Sequence, residues 1–413
     1  MQSQIASAFQ NASDIDEAES ILRSCVHCGF CTATCPTYQI LGDELDGPRG
    51  RIYLIKDFLA GQETSSESLE HLDRCLLCRA CETTCPSGVR YARLAEIGRR
   101  EMDKKLTRPL PQHLARVVLR SIFPYPRRMQ FLLRFAQAWK GVLREDWAAR
   151  IPEPCESVDT LSQQGSVHPR VLLFDGCVQQ VTTPNTNRAL TRVLDHLGVS
   201  WALPASAGCC GALSLHLNAE EEAHDFMRRN IDVWWPWVEE GIEAILVSAS
   251  GCASMLKEYG QSLQDDALYR EKARRIAELV RDPADWMVSM GAGISAAKSP
   301  RSRIALHNPC SLQHAMGLHG QIEQLLQDAG YELLPVADGH LCCGSAGTYS
   351  LLQPELSGEL QRRKLENLQA AHPDCIATAN VGCQLYLQQK SQVPVQHWLQ
   401  LLADVLPAQP ALP

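Results

Sequence analysis

The sequence predicts an α+β multidomain fold, in which an all-helical N-terminal domain precedes two copies of an α/β unit related by a pseudo-twofold axis. Three observations carry this prediction: a helical apolar period near the N-terminus, an alternation of short β-rich runs with helical segments further on, and cysteine-bearing anchors that occur twice. With 413 residues, of which 45% are apolar, the chain is long enough for several domains that each bury a core.

Helical periodicity dominates residues 1–150, which form the predicted first domain. Pro48 marks one helix start, because proline is tolerated where its missing N–H is not needed. The apolar side chains that follow recur at helical spacing and end before Gly61: Ile52, Ile55, Phe58 and Leu59. Two further helices are predicted over residues 91–104 and 126–143.

Residues 151–169 are rich in proline, serine and glutamine and form the predicted linker. Beyond them, β-rich runs such as residues 170–174 and 244–247 alternate with helical segments, which is typical of βαβ units around a parallel sheet. Cysteines then recur at separations of 133, 133 and 131 residues: Cys177 and Cys310, Cys209 and Cys342, Cys252 and Cys383. This near-constant separation indicates an internal duplication, with units expected at residues 170–300 and 301–413.

Composition and the apolar runs exclude several classes of protein. The net charge of −8 argues against a general nucleic-acid binder, which would show a basic excess. The N-terminus lacks the basic and apolar regions of a secretory signal, and no apolar run approaches the ~18–20 residues of a spanning helix. We therefore expect a cytoplasmic protein whose thiols stay reduced, a prediction that leaves peripheral membrane attachment through partners open.

Eight of the 18 cysteines form two C-x2-C-x2-C-x3-C-P runs, at residues 25–36 and 75–86. This is the bacterial [4Fe–4S] pattern, in which the fourth cysteine of each run binds the cluster held by the other run. One cluster is expected on Cys25, Cys28, Cys31 and Cys85, and the other on Cys75, Cys78, Cys81 and Cys35. Zinc prefers two C-x2-C pairs per ion and fits these runs poorly. Two clusters held by crossed ligands make an electron relay.

Each α/β unit carries four further cysteines that follow its predicted strands: Cys177, Cys209, Cys210 and Cys252, then Cys310, Cys342, Cys343 and Cys383. The carboxyl ends of parallel strands meet at one edge of a sheet, so we expect the four thiols of each unit to converge. The glycine after each Cys-Cys pair permits a positive φ and a tight loop. Four reduced thiols suit an iron–sulfur cluster or zinc, and the sequence leaves open which of them binds and in which unit.

Two cysteines remain, Cys155 in the linker and Cys375 in a predicted strand, and both are expected to be ordinary thiols. His307 and His340 lie close in sequence to the second group of cysteines. We expect packing or a backbone hydrogen bond for each histidine, with tuning of a bound cluster as the alternative.

Charged and aromatic residues near these motifs carry weaker expectations. Arg49 and Arg51 are expected to be exposed, with a contribution to cluster potential as the alternative. The basic run at residues 362–364 is expected to be a solvated helix face. Three tryptophans on one predicted helix are expected to pack between the two units: Trp234, Trp235 and Trp237.

The long helical gap between the two N-terminal runs resembles the helical ferredoxin domain of succinate dehydrogenase and heterodisulfide reductase iron–sulfur subunits. The duplicated Cys-Cys-Gly layout resembles the CCG domain of heterodisulfide reductase and related quinone-linked dehydrogenase subunits. The fullest CCG pattern ends in C-x2-C, whereas Met255 and Tyr386 stand at the final position here. This departure argues against the five-ligand, non-cubane cluster that reduces disulfides in heterodisulfide reductase.

Five segments closely resemble the family of bacterial glycolate oxidase iron–sulfur subunits: residues 25–38, 42–53, 70–75, 341–349 and 379–384. The resemblance implies the electron-transfer subunit of a glycolate dehydrogenase that oxidises glycolate to glyoxylate, with D-lactate as a second substrate. It places FAD and the catalytic residues on partner subunits, and it implies a membrane acceptor such as a quinone, reached by peripheral association with the cytoplasmic face of the inner membrane.

Three alternatives stay open on the sequence. Iron–sulfur subunits of D-lactate or anaerobic glycerol-3-phosphate dehydrogenases share this architecture, so motifs alone do not choose the substrate. A thiol/disulfide enzyme similar to heterodisulfide reductase is the second alternative. The third is a scaffold subunit with structural zinc in its CCG half.

Overall fold

The computed structural model describes residues 5–9, 13–142, 151–152, 168–292 and 302–407. These residues form a helical N-terminal region and two four-stranded parallel sheets with helical connections, which confirms the predicted α+β fold. Cys155 and most of the predicted linker lie outside the described residues. Within the described ranges, no helix combines the length and apolar character that crossing a bilayer requires.

The N-terminal region is built from helices, which in chain order are α1 (Ser13–Ser24), α2 (Phe30–Ala33), α3 (Pro36–Leu41), α4 (Pro48–Leu59), α5 (Ser66–Asp73), α6 (Ala80–Thr83), α7 (Tyr91–Lys105), α8 (Leu110–Ile122) and α9 (Pro126–Ala138). Short 3₁₀ helices occupy Ser7–Phe9, Glu44–Asp46 and Lys140–Val142. The helix expected over residues 91–104 is α7, and the one expected over residues 126–143 is α9, which ends earlier. Helix α8 was not predicted.

Helix α4 begins at Pro48 and buries the predicted apolar face, and the chain turns away at Gly61 with a φ of 81°. Its contact with α7 is unusually close, because Gly98 of α7 faces Ile55 of α4. A Cβ on Gly98 would lie 2.6 Å from Cγ1 of Ile55. The missing side chain at this glycine therefore sets the distance between the two helices that carry the N-terminal core.

The first α/β unit contains β1 (Val171–Leu173), α10 (Gln179–Thr182), α11 (Asn185–His196), β2 (Trp201–Ala202), α12 (Ala212–His216), α13 (Glu220–Glu239), β3 (Ala244–Leu246), α14 (Ser250–Lys257), α15 (Tyr259–Ser262), α16 (Arg270–Leu279), β4 (Val280–Arg281) and α17 (Pro283–Ser289). Its strands are parallel in the order β2-β1-β3-β4, with Leu172 of β1 in register with Ala202 and Ile245. The first group of duplicated cysteines lies at the carboxyl ends of these strands.

The second unit contains β5 (Arg303–His307), a π-helical turn (Ser311–Ala315), α18 (Gln321–Asp328), β6 (Glu332–Leu334), α19 (Tyr349–Leu352), α20 (Pro354–Gln369), β7 (Cys375–Thr378), α21 (Val381–Gln388), β8 (Val395–His397) and α22 (Trp398–Val405). Its strands are also parallel, in the order β6-β5-β7-β8. The strand order therefore repeats, as the internal duplication predicts.

The two units share one apolar core. Alternate residues of each central strand point into it, including Val171 and Leu173 of β1 and Ile304 of β5. The contacts are reciprocal, because α11 of the first unit packs on α22 of the second while α17 packs on α18. A pseudo-twofold axis between the units requires such a pattern, in which an early helix of each unit packs on the last helix of the other. At the centre, His397 donates a hydrogen bond to the carbonyl oxygen of Ser248 (2.9 Å).

The tryptophans of α13 do not pack between the units, so that expectation was wrong. Trp234 is fully buried against Phe174, with ring centroids 5.7 Å apart in an edge-on arrangement. Both rings belong to the core on the sheet face opposite the shared one, where Trp237 also packs. Trp235 lies at the surface beneath the ammonium group of Lys272. Helix α13 therefore covers the outer face of the first sheet.

We expect Gly98→Ala to destabilise the protein by about 1–3 kcal/mol, because the added methyl group overpacks a stiff, β-branched neighbour. Gly358→Ala is the matched control, since Gly358 lies inside helix α20 and a Cβ there would meet nothing within 4 Å. That change should stabilise by about 0.5–1 kcal/mol. Thermal unfolding of both variants measures the difference, and equal melting temperatures would contradict the close contact between α4 and α7.

Candidate functional site

The two N-terminal cysteine runs fold into the same local structure. In the first run His27 and Gly29 have positive φ angles of 57° and 85°, and in the second run Leu77 and Arg79 have 53° and 62°. Each pair is followed by a four-residue helix, α2 or α6. Left-handed residues at both positions reverse the chain sharply. The equal spacing of cysteines thus produces two equivalent loops, 50 residues apart.

The cysteines predicted for one cluster line a common pocket and are called the first thiol set: Cys25, Cys28, Cys31 and Cys85. Cys85 comes from the second run, as the predicted exchange of fourth cysteines requires, and Cys81 of that run lines the same pocket. Burial raises the pKa of the Cys31 thiol to about 11, and the neighbouring Cys25 acts in the same direction. Arg49 lines the same pocket, and Cys28 is exposed to solvent.

The cysteines predicted for the other cluster form the second thiol set: Cys35, Cys75, Cys78 and Cys81. Burial raises the pKa of Cys78 and Cys81, and thiols of this same set raise it further. Burial also acts to raise the pKa of Cys75, but Arg51 and Arg99 outweigh it and hold that pKa below its usual value. The second set is therefore more enclosed than the first and has cationic side chains beside it.

Arg51 is buried, so its expected exposure was wrong. It lies on the inner face of α4 and contacts the equally buried carboxylate of Asp46 (3.3 Å). The same carboxylate contacts Arg74 (3.0 Å) and the ring of His71 (3.1 Å). Arg51 also donates to the carbonyl oxygen of His71 (2.7 Å) and to the hydroxyl of Thr37 (3.1 Å). This network ties α4 to the entrance of the second run.

The duplicated cysteines converge within each α/β unit. The first CCG pocket comprises Cys177, Cys209, Cys210 and Cys252, which contact one another in the sequence 177–209–210–252. The second CCG pocket comprises Cys310, Cys342, Cys343 and Cys383. The Sγ atoms of Cys310 and Cys342 are 3.9 Å apart, and Cys343 contacts both Cys342 and Cys383. In both units the cysteines follow the carboxyl ends of three parallel strands.

The glycine after each Cys-Cys pair has the conformation that the sequence predicts. Gly211 and Gly344 both have a φ of 89°. A Cβ on Gly344 would lie 2.6 Å from the carbonyl oxygen of Ser357, so no larger residue fits there. The backbone N–H of each glycine points at sulfur, 3.5 Å from Cys209 and 3.4 Å from Cys342. Such N–H···S contacts stabilise thiolate ligands.

The positions where the fullest CCG pattern has a fifth cysteine are occupied by packed side chains. Met255 is buried in the core of the first unit. The hydroxyl of Tyr386 is hydrogen-bonded to that of Ser357 (2.5 Å), which in turn donates to the carbonyl oxygen of Gly344 (2.8 Å). Each CCG pocket therefore has four thiols.

The basic run at residues 362–364 was expected to be solvated, which is correct for Arg362 and wrong for Lys364. Arg362 is exposed and pairs with Glu359 and Glu366. Lys364 is only 3% exposed, and its Nζ donates to the carbonyl oxygens of Asp338 (2.9 Å) and Gly339 (3.1 Å). Residues two apart on a helix face different directions, so Lys364 turns toward the second CCG pocket. The helical periodicity of the sequence was too weak to predict that Lys364 is buried.

His307 is buried beside the second CCG pocket, where one of its ring nitrogens lies within 4.8 Å of the sulfur atoms of Cys343 and Cys383. Burial lowers its pKa well below the usual value, so the ring is neutral. His340 is half-buried, and its carbonyl oxygen contacts the ring of His314 (2.9 Å). Cys375 packs in the core that the two units share.

The second thiol set adjoins the second CCG pocket. The thiol of Cys78 lies close enough to those of Cys310 and Cys342 to affect their pKa values or be affected by them. Two hydrogen bonds hold this junction: Tyr349 donates to the carbonyl oxygen of Arg74 (3.0 Å), and the hydroxyl of Thr83 contacts the ring of His314 (2.9 Å). On the side of the first unit, Arg79 forms an ion pair with Glu258. Sequence reasoning missed these contacts because they join distant parts of the chain.

Comparison with known proteins gives matches over both halves. The "Cysteine-rich domain" (CCG) family matches residues 171–257 and 304–388, and the "4Fe-4S dicluster domain" family matches residues 21–89. The glycolate oxidase iron–sulfur subunit of Escherichia coli (strain K12) is 48% identical, over 98% of this chain and 99% of that protein. The probable glycolate oxidase iron–sulfur subunit of Bacillus subtilis (strain 168) is 30% identical, over 91% of this chain and 89% of that protein.

More distant similarities cover part of the chain or the fold alone. Lactate utilization protein A of Geobacillus sp. (strain WCH70) is 25% identical, over 57% of this chain and 98% of that protein. The crystal structure of a hypothetical protein from Helicobacter pylori matches with a TM-score of 0.57 at 10% identity. It covers 98% of this chain and 74% of that one.

We expect Arg51→Met to destabilise the protein by about 3–5 kcal/mol, because it removes one partner from a buried carboxylate. Arg49→Met is the matched control, two residues away on the same helix. Arg49 is 38% exposed and pairs with Glu44 at the surface, so its loss should cost about 0–1 kcal/mol. Denaturant unfolding of both variants measures the difference. Similar losses of stability would show that Asp46 does not depend on Arg51.

Proposed function

This chain belongs to the family of glycolate oxidase iron–sulfur subunits, and we propose that it is the electron-transfer subunit of a glycolate dehydrogenase complex. The observation that carries this proposal is 48% identity to the Escherichia coli subunit over nearly the whole of both chains. The grouping of eight thiols into two crossed sets of four fits the same role. A [4Fe–4S] cluster, when bound, accepts and donates one electron at a time.

The first thiol set would hold one [4Fe–4S] cluster and the second set the other. The residues fit this group, because each set offers four reduced cysteines with backbone N–H groups directed at sulfur. Leu77 donates to Cys75 (3.4 Å), and Val89 donates to Cys85 (3.5 Å). Arg51, which stabilises negative charge on Cys75, would favour the reduced state at the second set.

The CCG pockets would hold one further iron–sulfur cluster or a zinc ion, and we assign it to the second CCG pocket. Four thiols suit either group. Cys78 belongs to the same packed cluster as Cys310 and Cys342, which favours the second pocket, since a redox centre there would extend the relay from the second thiol set. In the first CCG pocket, Cys177 and Cys209 pack instead with Phe226 and Tyr125.

The partners follow from the proposed role. FAD-containing subunits of the complex would oxidise glycolate, with D-lactate as a second substrate, and pass electrons to this chain. The chain would deliver them to a membrane acceptor such as a quinone, with the complex bound peripherally to the cytoplasmic face of the inner membrane. We divide the chain into a ferredoxin domain (1–150), a linker (151–169) and two CCG units (170–300 and 301–413).

Two alternatives are less well supported. Relatives named for lactate utilization match only 57% of this chain, whereas the glycolate oxidase subunits match nearly all of it. A disulfide-reducing enzyme would need the fifth cysteine of each CCG site. Met255 and Tyr386 stand at those positions and are packed or hydrogen-bonded.

We expect Cys31→Ser to abolish reduction of an artificial acceptor by glycolate in the purified complex, while glycolate still bleaches the bound flavin. The variant should contain about four fewer iron atoms, because one [4Fe–4S] cluster loses a ligand. Cys375→Ser is the control, since that thiol lies in the apolar core away from both sets. Acceptor reduction at the normal rate in Cys31→Ser would refute the relay.

A further inference from the structure

The two CCG pockets differ at one position that directly borders the thiols. His307 ends strand β5, three residues before Cys310. The corresponding residue of the first unit is Phe174, 133 residues earlier, three residues before Cys177. Phe174 packs in an apolar core against Trp234. The duplication therefore places an imidazole in one unit where the other has a phenyl ring.

The imidazole of His307 is positioned as a ligand would be. One of its ring nitrogens and the sulfur atoms of Cys343 and Cys383 all lie within 4.8 Å of one another. The side chain is 1% exposed, and neither ring nitrogen has a hydrogen-bond partner among the described residues. Buried polar atoms in native proteins almost always have a hydrogen-bond partner, so a buried ring nitrogen without one points to a bound group.

The groups around His307 leave the imidazole available. Lys364 has no acceptor atom, and its Nζ is directed to two backbone carbonyl oxygens. The amide of Asn380 donates to the sulfur of Cys383 (3.5 Å) rather than to the ring. The cation of Lys364 and this amide offset the negative charge that Cys343 and Cys383 would carry as thiolates.

We propose that His307 is a nitrogen ligand of the metal centre in the second CCG pocket, together with Cys343 and Cys383. The inference rests on the proposed occupation of that pocket. Mixed imidazole and thiolate coordination is common to zinc sites and to iron–sulfur clusters that carry histidine ligands, so both metals share the required chemistry. With Phe174 at the equivalent position, the first pocket offers thiols without the imidazole. The two duplicated sites then differ in ligand set.

The test compares metal content and ligand signals in the purified full-length protein and three variants. In the wild type we expect metal beyond the eight irons of two [4Fe–4S] clusters. Pulsed EPR with ¹⁵N-histidine should show a nitrogen coupling if the metal is iron, and zinc-edge X-ray absorption a nitrogen neighbour if it is zinc. His307→Phe should weaken retention of this metal at least tenfold during chelator treatment, while the eight irons remain.

Two variants guard against a merely structural effect. His307→Cys should retain the metal with the nitrogen signal replaced by sulfur, and His340→Phe should change neither metal nor signal. Unchanged metal and signal in His307→Phe would overturn the inference, as would a wild type with eight irons and no other metal. That last result would leave the two-cluster relay intact, because Cys31→Ser tests the relay separately.

A second inference comes from the surface of α8 and α9. Of sixteen well-exposed large apolar side chains in the described part of the chain, eight lie within residues 110–142. They recur on one side of each helix: Leu110, Leu114, Val118, Phe131, Leu132, Phe135, Trp139 and Val142. The apolar face that these side chains form on each helix marks an interaction surface.

The charge of this segment is opposite to that of the whole chain. Residues 106–142 contain seven arginine and lysine residues and no aspartate or glutamate, although the chain carries a net charge of −8. Some of these cations pair inward, as Arg116 does with Asp73 and Arg120 with Glu222. Others flank the apolar face on α9, such as Arg127 and Arg134. Amphipathic helices with aromatic side chains and basic flanks bind in the plane of anionic membranes.

We infer that α8 and α9 form a membrane-binding face, with a bilayer rich in anionic phospholipid as its occupant. The purified complex should bind vesicles containing phosphatidylglycerol, more weakly at high salt and on neutral phosphatidylcholine. The double variant Phe131→Asp, Phe135→Asp should reduce binding at least tenfold. Leu268→Asp is the control, because Leu268 is 81% exposed on the first α/β unit.

Three outcomes would overturn the membrane assignment. The first is equal vesicle binding by the double variant and the wild type, and the second is no binding by either. The third is loss of the partner subunits from the double variant during copurification while vesicle binding persists, which would make this face a protein interface.

Discussion

The buried carboxylate of Asp46 is the interaction on which the arrangement of the two cysteine runs depends. It follows the first run and contacts both Arg51 of α4 and Arg74, which immediately precedes the second run. The backbone of the same residue accepts a hydrogen bond from Thr37 (2.7 Å), two residues after Cys35. Through its backbone and its carboxylate together, Asp46 thus fixes Cys35 against the loop that carries Cys75. Without this fixed register of the two runs, the fourth cysteine of one run would not lie beside the first three cysteines of the other.

This fixed register also sets the order of the sites. The first thiol set lies near the surface, where Cys28 is exposed and Phe30 is 61% exposed beside it. The second set is enclosed and faces the second CCG pocket, through the contacts of Tyr349 with Arg74 and of Thr83 with His314. In the proposed function, electrons would enter at the exposed set and move toward the enclosed one.

Local signals in the sequence were sufficient for the fold and for the grouping of the cysteines. The C-x2-C-x2-C-x3-C-P spacing, the start of α4 at Pro48 and the repeated Cys-Cys-Gly loops depend on neighbours a few residues away. Arg51 and Lys364 could not be placed this way, because whether a charged side chain is buried depends on partners that only the tertiary fold supplies. Helix α8 carries the same kind of signals as α4, with a proline in its first turn and an apolar side chain every four residues, so the sequence was sufficient to predict it. For His307 a signal did exist: alignment of the two units pairs it with Phe174.

The duplication explains how the two pockets could diverge while the fold stayed the same. Around the first pocket, Asp175 has its pKa raised to about 7 by burial and accepts a hydrogen bond from Asn187 (2.7 Å), which belongs to a network with Gln179 and Ser248. These polar groups largely satisfy one another. Around the second pocket, Lys364 brings a buried cation and His307 a buried ring nitrogen without a partner among the described residues. Negative charge nearby stabilises a buried cation, and the groups that act on Lys364 in this way are Cys342, Cys343, Cys383 and Asp338. The second pocket therefore has the surroundings that favour a charged centre, and it also adjoins the second thiol set.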